Sequence, residues 1–200
     1  MIVVDSFTQG TEEWYAARCG VITASNFDKV VTSKGAPSKQ STKYLYRLAA
    51  ERVTGTVPQS YTNAAMQRGT EIEPEARAYY ELMEDVSVRE VALCYRDEEK
   101  TVSCSPDGLV GDEGGLEIKC PLPETHIEYL LAGKLPTAYI QQVQGSLYVT
   151  GREWWDFLSY CPGLKPLQIR VQRDEAFIAK LEAALDAAIK NLTQIIGAIS

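Results

Sequence analysis

Residues 105–121, SPDGLVGDEGGLEIKCP, decide how the chain is read. Residues 101–110 and 115–120 alternate apolar and polar positions at a period of two, which predicts a pair of strands. The connection GDEGG between them is a hairpin signal. Asp107 follows Ser105-Pro106 near the end of the first predicted strand. Glu117 and Lys119 are two apart on the next, so they point to the same face. The hairpin brings the three charges together. Hard carboxylate oxygens suit Mg²⁺. Such an ion can polarise a phosphodiester, lower the pKa of a bound water and stabilise a leaving oxygen. Lys119 can orient the attacking water or neutralise developing charge. A cross-strand ion pair of Lys119 with Glu117 or Asp107 satisfies the same spacing, and the pattern D-x(n)-E-x-K is short. Spacing alone leaves both readings open.

Upstream, residues 86–96 read as a third strand. Residues 63–84 read as a helix with Ile72, Ala76, Tyr79, Tyr80 and Met83 apolar; Pro74 inside it predicts a kink or a helix start. Residues 41–54 place Tyr44, Leu45, Leu48, Ala49 and Val53 at helical spacing, with Gly55 as the stop. Helical signals open the chain, over residues 11–18. Ser25 followed by Asp28 resembles a capping box. Downstream, residues 137–150 return to helix, residues 154–160 and 167–171 read as strands, and residues 174–199 form a long amphipathic helix. The expected fold class is α/β: a mixed central sheet flanked by helices, in one domain over residues 1–200.

Composition narrows the chemistry. The only histidine is His126, and none of the five cysteines is spaced as CxxC, so no Cys/His zinc set can be built. The cysteines are expected to be reduced fillers. No run of 18 apolar residues exists, and the N-terminus lacks the pattern of a signal peptide, so no membrane association and a cytoplasmic location are expected. The net charge of −7 argues by itself against nucleic acid. Its distribution does not: Lys29, Lys34, Lys39, Lys43 and Arg47 form a basic stretch without acids, and acids dominate residues 71–99. That pattern fits a DNA face beside a metal site, or a solvated basic helix.

SPDGL followed by LEIKCP resembles the PD-(D/E)XK nuclease motif. RCGVITASNF, RGTEIEPEARAYYE, YRDEEKTVSCSPDGL, GLEIKCP and YIQQVQGSLYVT resemble, in order, blocks of the phage lambda exonuclease family, the YqaJ-like viral recombinases. The likeness spans roughly residues 14–160. It implies a restriction-endonuclease-like core. It implies that Asp107, Glu117 and the carbonyl of Ile118 hold metal, that Lys119 is the catalytic lysine, and that Glu73 completes a second metal site. It places Gln142 at the attacking water or the scissile phosphate, with Gln141 and Gln144 as competitors; Gln144 and Tyr148 fit a QxxxY pattern. It assigns Arg18 and Ser25 to a 5′-phosphate pocket at a helix start, and Met66 to a wedge that parts the strands. The plain alternatives are a Glu73–Arg77 helix pair, capping by Ser25, a surface ion pair for Arg18 and a packed Met66.

By the same resemblance the activity is processive 5′-to-3′ digestion of double-stranded DNA ends. Mononucleotides are released and a 3′ overhang is left, with two Mg²⁺ per site that Mn²⁺ can replace. A ring-shaped homotrimer and a single-strand annealing recombinase partner are expected, in a bacterial cytoplasm with a phage or prophage origin. The rivals are a PD-(D/E)XK endonuclease and a catalytically silent module that binds DNA ends. His126, close after the motif, is either structural or a DNA-phosphate contact.

Overall fold

A computed structural model describes residues 1–58 and 64–199. The chain opens on a strand, β1 (Ile2–Val4), and not on a helix. Helix α1 (Glu12–Ala17) starts at Thr11, whose Oγ1 accepts from the Trp14 N–H at 3.3 Å. Strand β2 (Ile22–Thr23) leads into a 3-10 turn over Ala24–Lys29. Helix α2 (Ser41–Thr54) ends at Gly55 in the left-handed conformation, φ 65°. Helix α3 (Ala64–Glu84) continues through Pro74, so the proline does not start it; residue 63, its expected first residue, lies outside the described residues.

Strands β3 (Val88–Arg89), β4 (Leu93–Tyr95), β5 (Val102–Cys104), β6 (Gly108–Val110) and β7 (Gly114–Lys119) follow. Helix α4 (Pro123–Ala132) and a 3-10 turn at Thr137–Tyr139 precede α5 (Ile140–Thr150). Strands β8 (Trp154–Ser159) and β9 (Leu167–Gln172) and helix α6 (Glu175–Ile199) complete the chain.

Two mixed sheets replace the single sheet expected from the sequence. One has the order β1-β4-β5-β2 and the other β3-β6-β7-β8-β9. In each, one neighbouring pair is parallel: β2 with β5 and β7 with β8. The split has a local cause. Pro106 cannot donate to a ladder and restricts the residue before it, so the strand expected over 101–110 breaks at Ser105–Asp107. Its halves, β5 and β6, join different sheets, as do β3 and β4 from residues 86–96. Asp107 therefore sits at a corner where the chain passes from one sheet to the other.

The hairpin β6–β7 forms as expected, with Gly108 opposite Leu116 and Val110 opposite Gly114. Only Gly111 of its glycines needs a positive φ, 52°. Gly114 and Gly115 are strand residues under indole rings: a Cβ on Gly115 would lie 2.3 Å from the Trp155 ring.

Leu116 and Ile118 pack with Ala76 and Tyr80 of α3. Pleating then turns Glu117 and Lys119 to the opposite face, toward α5. The larger core joins α2, α5, α6 and the sheets through Leu48, Val143, Leu147, Trp155, Phe157 and Leu181. On α6, Phe177, Ile178, Leu181, Leu185 and Leu192 are buried and Ile189 and Ile196 partly so, the stripe read from the sequence. Among the described residues no helix is long and apolar enough to cross a membrane.

Candidate active site

The corner and the hairpin place Asp107, Glu117 and Lys119 around one point. Asp107 Oδ2 accepts from the Ile118 N–H at 2.6 Å, which ties the corner to β7. Lys119 Nζ donates to Glu117 Oε1, so the ion pair foreseen as the plain alternative exists within the same group. Gln142 Nε2 donates to that oxygen at 2.5 Å. Glu117 Oε2 is buried and has no hydrogen-bond partner.

Burial pushes the Glu117 carboxyl up to about 7; Lys119 opposes the shift and Asp107 adds to it. Burial likewise raises the Asp107 carboxyl, against the pull of Lys119, the Ile118 N–H and Arg77. Burial works against charge on Lys119, but Glu117 and Asp107 together hold its ammonium above the usual lysine range. Burial is thus the main cause that disfavours charge on these two carboxyls, against the cations beside them.

Glu73 approaches from α3. Its Oε1 takes a 2.7 Å bond from Arg77 Nη2, the i,i+4 pair anticipated for it. Burial raises its carboxyl and Asp107 raises it further, with Arg77 and Lys119 opposing. Among the described residues no three His, Cys, Asp or Glu side chains are grouped to hold an ion by themselves.

The three glutamines separate cleanly. Gln141 Nε2 donates to the Val31 carbonyl at 3.3 Å. Gln144 donates to the Gln172 carbonyl at 2.8 Å and accepts from the Asp174 N–H at 2.9 Å, and Tyr148 bonds Arg96 at 2.5 Å. Those contacts hold α5 to its neighbours. Only Gln142 of the three has a bond to the acidic group.

Arg18 and Ser25 open onto the same recess, a cavity of about 160 Å³ that also meets Asp107, Glu117, Lys119 and Gln142. Arg18 Nη1 donates to Ser105 Oγ at 2.7 Å and Nη2 to Ser25 Oγ at 3.4 Å. The guanidinium lies over the Trp14 ring at 4.3 Å, and Trp14 Nε1 donates to Ser105 Oγ at 3.1 Å. The capping box does not form. Ser25 lies inside the 3-10 turn, Thr23 is the cap residue, and no side chain caps that start. The hydroxyl is instead within reach of Arg18, Thr23 and Asn26.

A wider groove of about 760 Å³ adjoins the recess and is lined by Trp14, Arg18, Ser25, Lys29, Arg47 and Met66, among others. Of the basic stretch, Lys29 and Arg47 reach this groove; Lys34, Lys39 and Lys43 are exposed. Tyr44 is buried, as expected of core packing, whereas Tyr46 is exposed. His126 is fully buried. Its Nδ1 meets Ser159 Oγ at 2.7 Å and its Nε2 the Lys165 carbonyl at 3.0 Å, so both nitrogens are used internally and the phosphate role is excluded.

Four site residues carry no decisive signal in the sequence. Ser105 lies inside SPDGL, and Trp14 sits four residues before Arg18, one helical turn away. Arg77 has helical spacing to Glu73. Gln9 donates to the Pro106 carbonyl at 2.8 Å and the Val91 carbonyl at 3.1 Å, a long-range bond that no local pattern announces.

No curated protein sequence matches the chain. Among solved structures, the alkaline exonuclease LHK-Exo from Laribacter hongkongensis is 42% identical, with a TM-score of 0.86 over 94% of this chain and 96% of that one. The same enzyme solved in complex with dAMP gives 42% and 0.85 over the same shares. A phage-related exonuclease from Haemophilus somnus 129PT shares the fold, with a TM-score of 0.72 at 16% identity over 90% of this chain and 96% of that one. The PD-(D/E)XK-like core expected from the motif is thereby borne out. The profile of the YqaJ-like viral recombinase domain matches residues 13–153, a span that holds Arg18, Ser25, Glu73, Asp107, Glu117, Lys119 and Gln142. The chain belongs to the YqaJ-like viral recombinase family.

Proposed function

We propose that the protein is a magnesium-dependent exonuclease that digests the 5′-ended strand of linear double-stranded DNA, releases mononucleotides and leaves a 3′ overhang for strand annealing. One observation carries this reading: a single recess joins the acid–lysine–glutamine group to the Arg18–Ser25–Ser105 cluster. The first suits phosphodiester hydrolysis, and the second suits an anion at the end of the strand being cut.

The residues fit a hard divalent cation. Glu117 Oε2 is buried without a partner, and burial disfavours charge on both Glu117 and Asp107. Asp107, Glu117 and the Ile118 carbonyl would hold Mg²⁺ or Mn²⁺, and Glu73 a second ion. When bound, the metal supplies Lewis-acid polarisation of the phosphate and a more acidic water. Lys119 and Gln142, both bonded to Glu117, would orient an attacking water and donate to the scissile phosphate. Arg18 with Ser25 and Ser105 grips the terminal 5′-phosphate, which fixes the strand polarity. Met66 lines the adjoining groove, where a wedge between parting strands would sit.

We extend the reading to a ring-shaped homotrimer with an annealing recombinase as partner. Enclosure would let a chain of net charge −7 retain DNA without a strong basic patch. The test compares linear and covalently closed duplex with magnesium and with chelator. Loss of the linear form alone, and only with magnesium, supports the proposal. Cutting of the closed circle shows an endonuclease. Binding of ends without digestion shows a silent end-binding module.

A further inference from the structure

Arg77 lies outside every role assigned above, yet it contacts three parts of the site's frame. Its Nη2 bonds Glu73 Oε1 at 2.7 Å, its Nη1 bonds Glu90 Oε2 at 2.8 Å, and its Nε donates to the Asp107 backbone carbonyl at 3.2 Å. The three acceptors come from α3, from the segment between β3 and β4, and from the corner between the sheets. The Arg77 side chain is 13% exposed, whereas that of Glu90 is 68% exposed. The guanidinium is thus an inner brace with one outer tether. Arginine suits this position, because its planar fork reaches several acceptors at once and keeps its charge; lysine offers one point charge.

The brace matters because of what it joins. Glu73 stands on a helix and Asp107 on a loop corner, and no hydrogen bond links their side chains among the described residues. Neighbouring carboxylates repel one another, and Asp107 raises the Glu73 carboxyl in this way. Arg77 sits between their supports, spends one donor on a single oxygen of Glu73, and leaves the other oxygen of that carboxylate outside the pair.

We infer that Arg77 is a positioning residue that sets Glu73 against Asp107, so that the acids of α3 and of the corner act on one phosphate. The inference rests on the nuclease reading above. Without Arg77, Glu73 is free to swing and the corner loses a tie, while the bond of Asp107 to the Ile118 N–H and that of Lys119 to Glu117 remain. A displacement of about 1 Å at such a site costs on the order of 10²-fold in rate.

The test compares wild type, Arg77→Gln, Arg77→Lys, Glu73→Gln and the double variant Glu73→Gln/Arg77→Gln. Each is measured for magnesium-dependent digestion of linear duplex and for Mn²⁺ binding without DNA, followed by the loss of the free-ion electron paramagnetic resonance signal. Melting curves establish which variants are folded. The expected result is a fall of about 10²-fold in kcat for Arg77→Gln with KM for DNA little changed, weaker Mn²⁺ binding, and only partial recovery in Arg77→Lys. Arg77→Gln should cost clearly less once Glu73 is glutamine, since its main effect runs through Glu73 and only the tie to the Asp107 carbonyl is left to lose. Full activity in folded Arg77→Gln, tighter Mn²⁺ binding, or additive losses in the double variant would each overturn the inference. If wild type fails to digest DNA at all, the nuclease reading fails first; the Mn²⁺ comparison still decides whether Arg77 orders the acids.

Discussion

Replacing Glu117 by glutamine tests the electrostatics of the site through stability alone. Burial raises this carboxyl from an ordinary value of 4.5 to about 7, and its side chain is 2% exposed. The unfolded chain loses the proton near 4.5 and the metal-free folded chain near 7. Between those values the folded state binds more protons, so stability falls as pH rises and the loss is complete above about 7. Each factor of ten in proton affinity is worth about 1.4 kcal/mol, which makes the whole loss on the order of 3 kcal/mol. In a chain of this size that corresponds to roughly 6–12 °C in Tm.

Glutamine cannot titrate, so Glu117→Gln should lack this part of the slope. Its absolute stability is a separate matter, because Lys119 loses a partner. The assay is thermal unfolding by circular dichroism in chelator, from pH 4.5 to 8, for both proteins. A shallower fall in the variant is expected. Parallel curves would refute the argument that burial holds Glu117 partly protonated.

Three further outcomes follow from particular contacts. His126→Ala removes two internal bonds from a fully buried ring and should cost about 2–4 kcal/mol in denaturant unfolding, with digestion per folded molecule unchanged. Gly145→Ala places a Cβ 2.4 Å from the Phe27 ring. Overpacking of about 1–3 kcal/mol should outweigh alanine's helix advantage of about 1 kcal/mol, so the measured Tm falls; a rise would show that α5 can shift. Arg18→Gln should reduce the rate advantage of a 5′-phosphorylated over a 5′-hydroxyl end by roughly 10- to 100-fold, the worth of a hydrogen bond to a charged group. An unchanged ratio would remove Arg18 from the phosphate pocket.

Much of this arrangement was legible in the sequence, because the decisive signals are local. The period-two stretch with GDEGG specified the β6–β7 hairpin and put Glu117 and Lys119 on one face. The apolar stripe of α6 was readable at helical spacing. The sheet split was harder to see: its cause, Pro106, was visible, but which half-strand joins which sheet depends on pairings with β1 and β2, segments of three and two residues with almost no pattern. The glutamines could not be ranked by spacing, since Gln141, Gln142 and Gln144 differ only in which direction α5 turns them. Gln9, Ser105 and Arg77 owe their places to contacts made across long stretches of chain, to which periodicity is blind.

Asp107 and its neighbours are proposed to hydrolyse DNA from a 5′ end with magnesium. The most direct measurement uses linear duplex labelled at either the 5′ or the 3′ end, with magnesium or chelator, for wild type and Asp107→Ala. Wild type with magnesium should release the 5′ label at once as mononucleotide and retain the 3′ label on long single strands; chelator and Asp107→Ala should abolish both effects. Early release of the 3′ label, or digestion by Asp107→Ala equal to wild type, would show that Asp107 does not direct hydrolysis from the 5′ end.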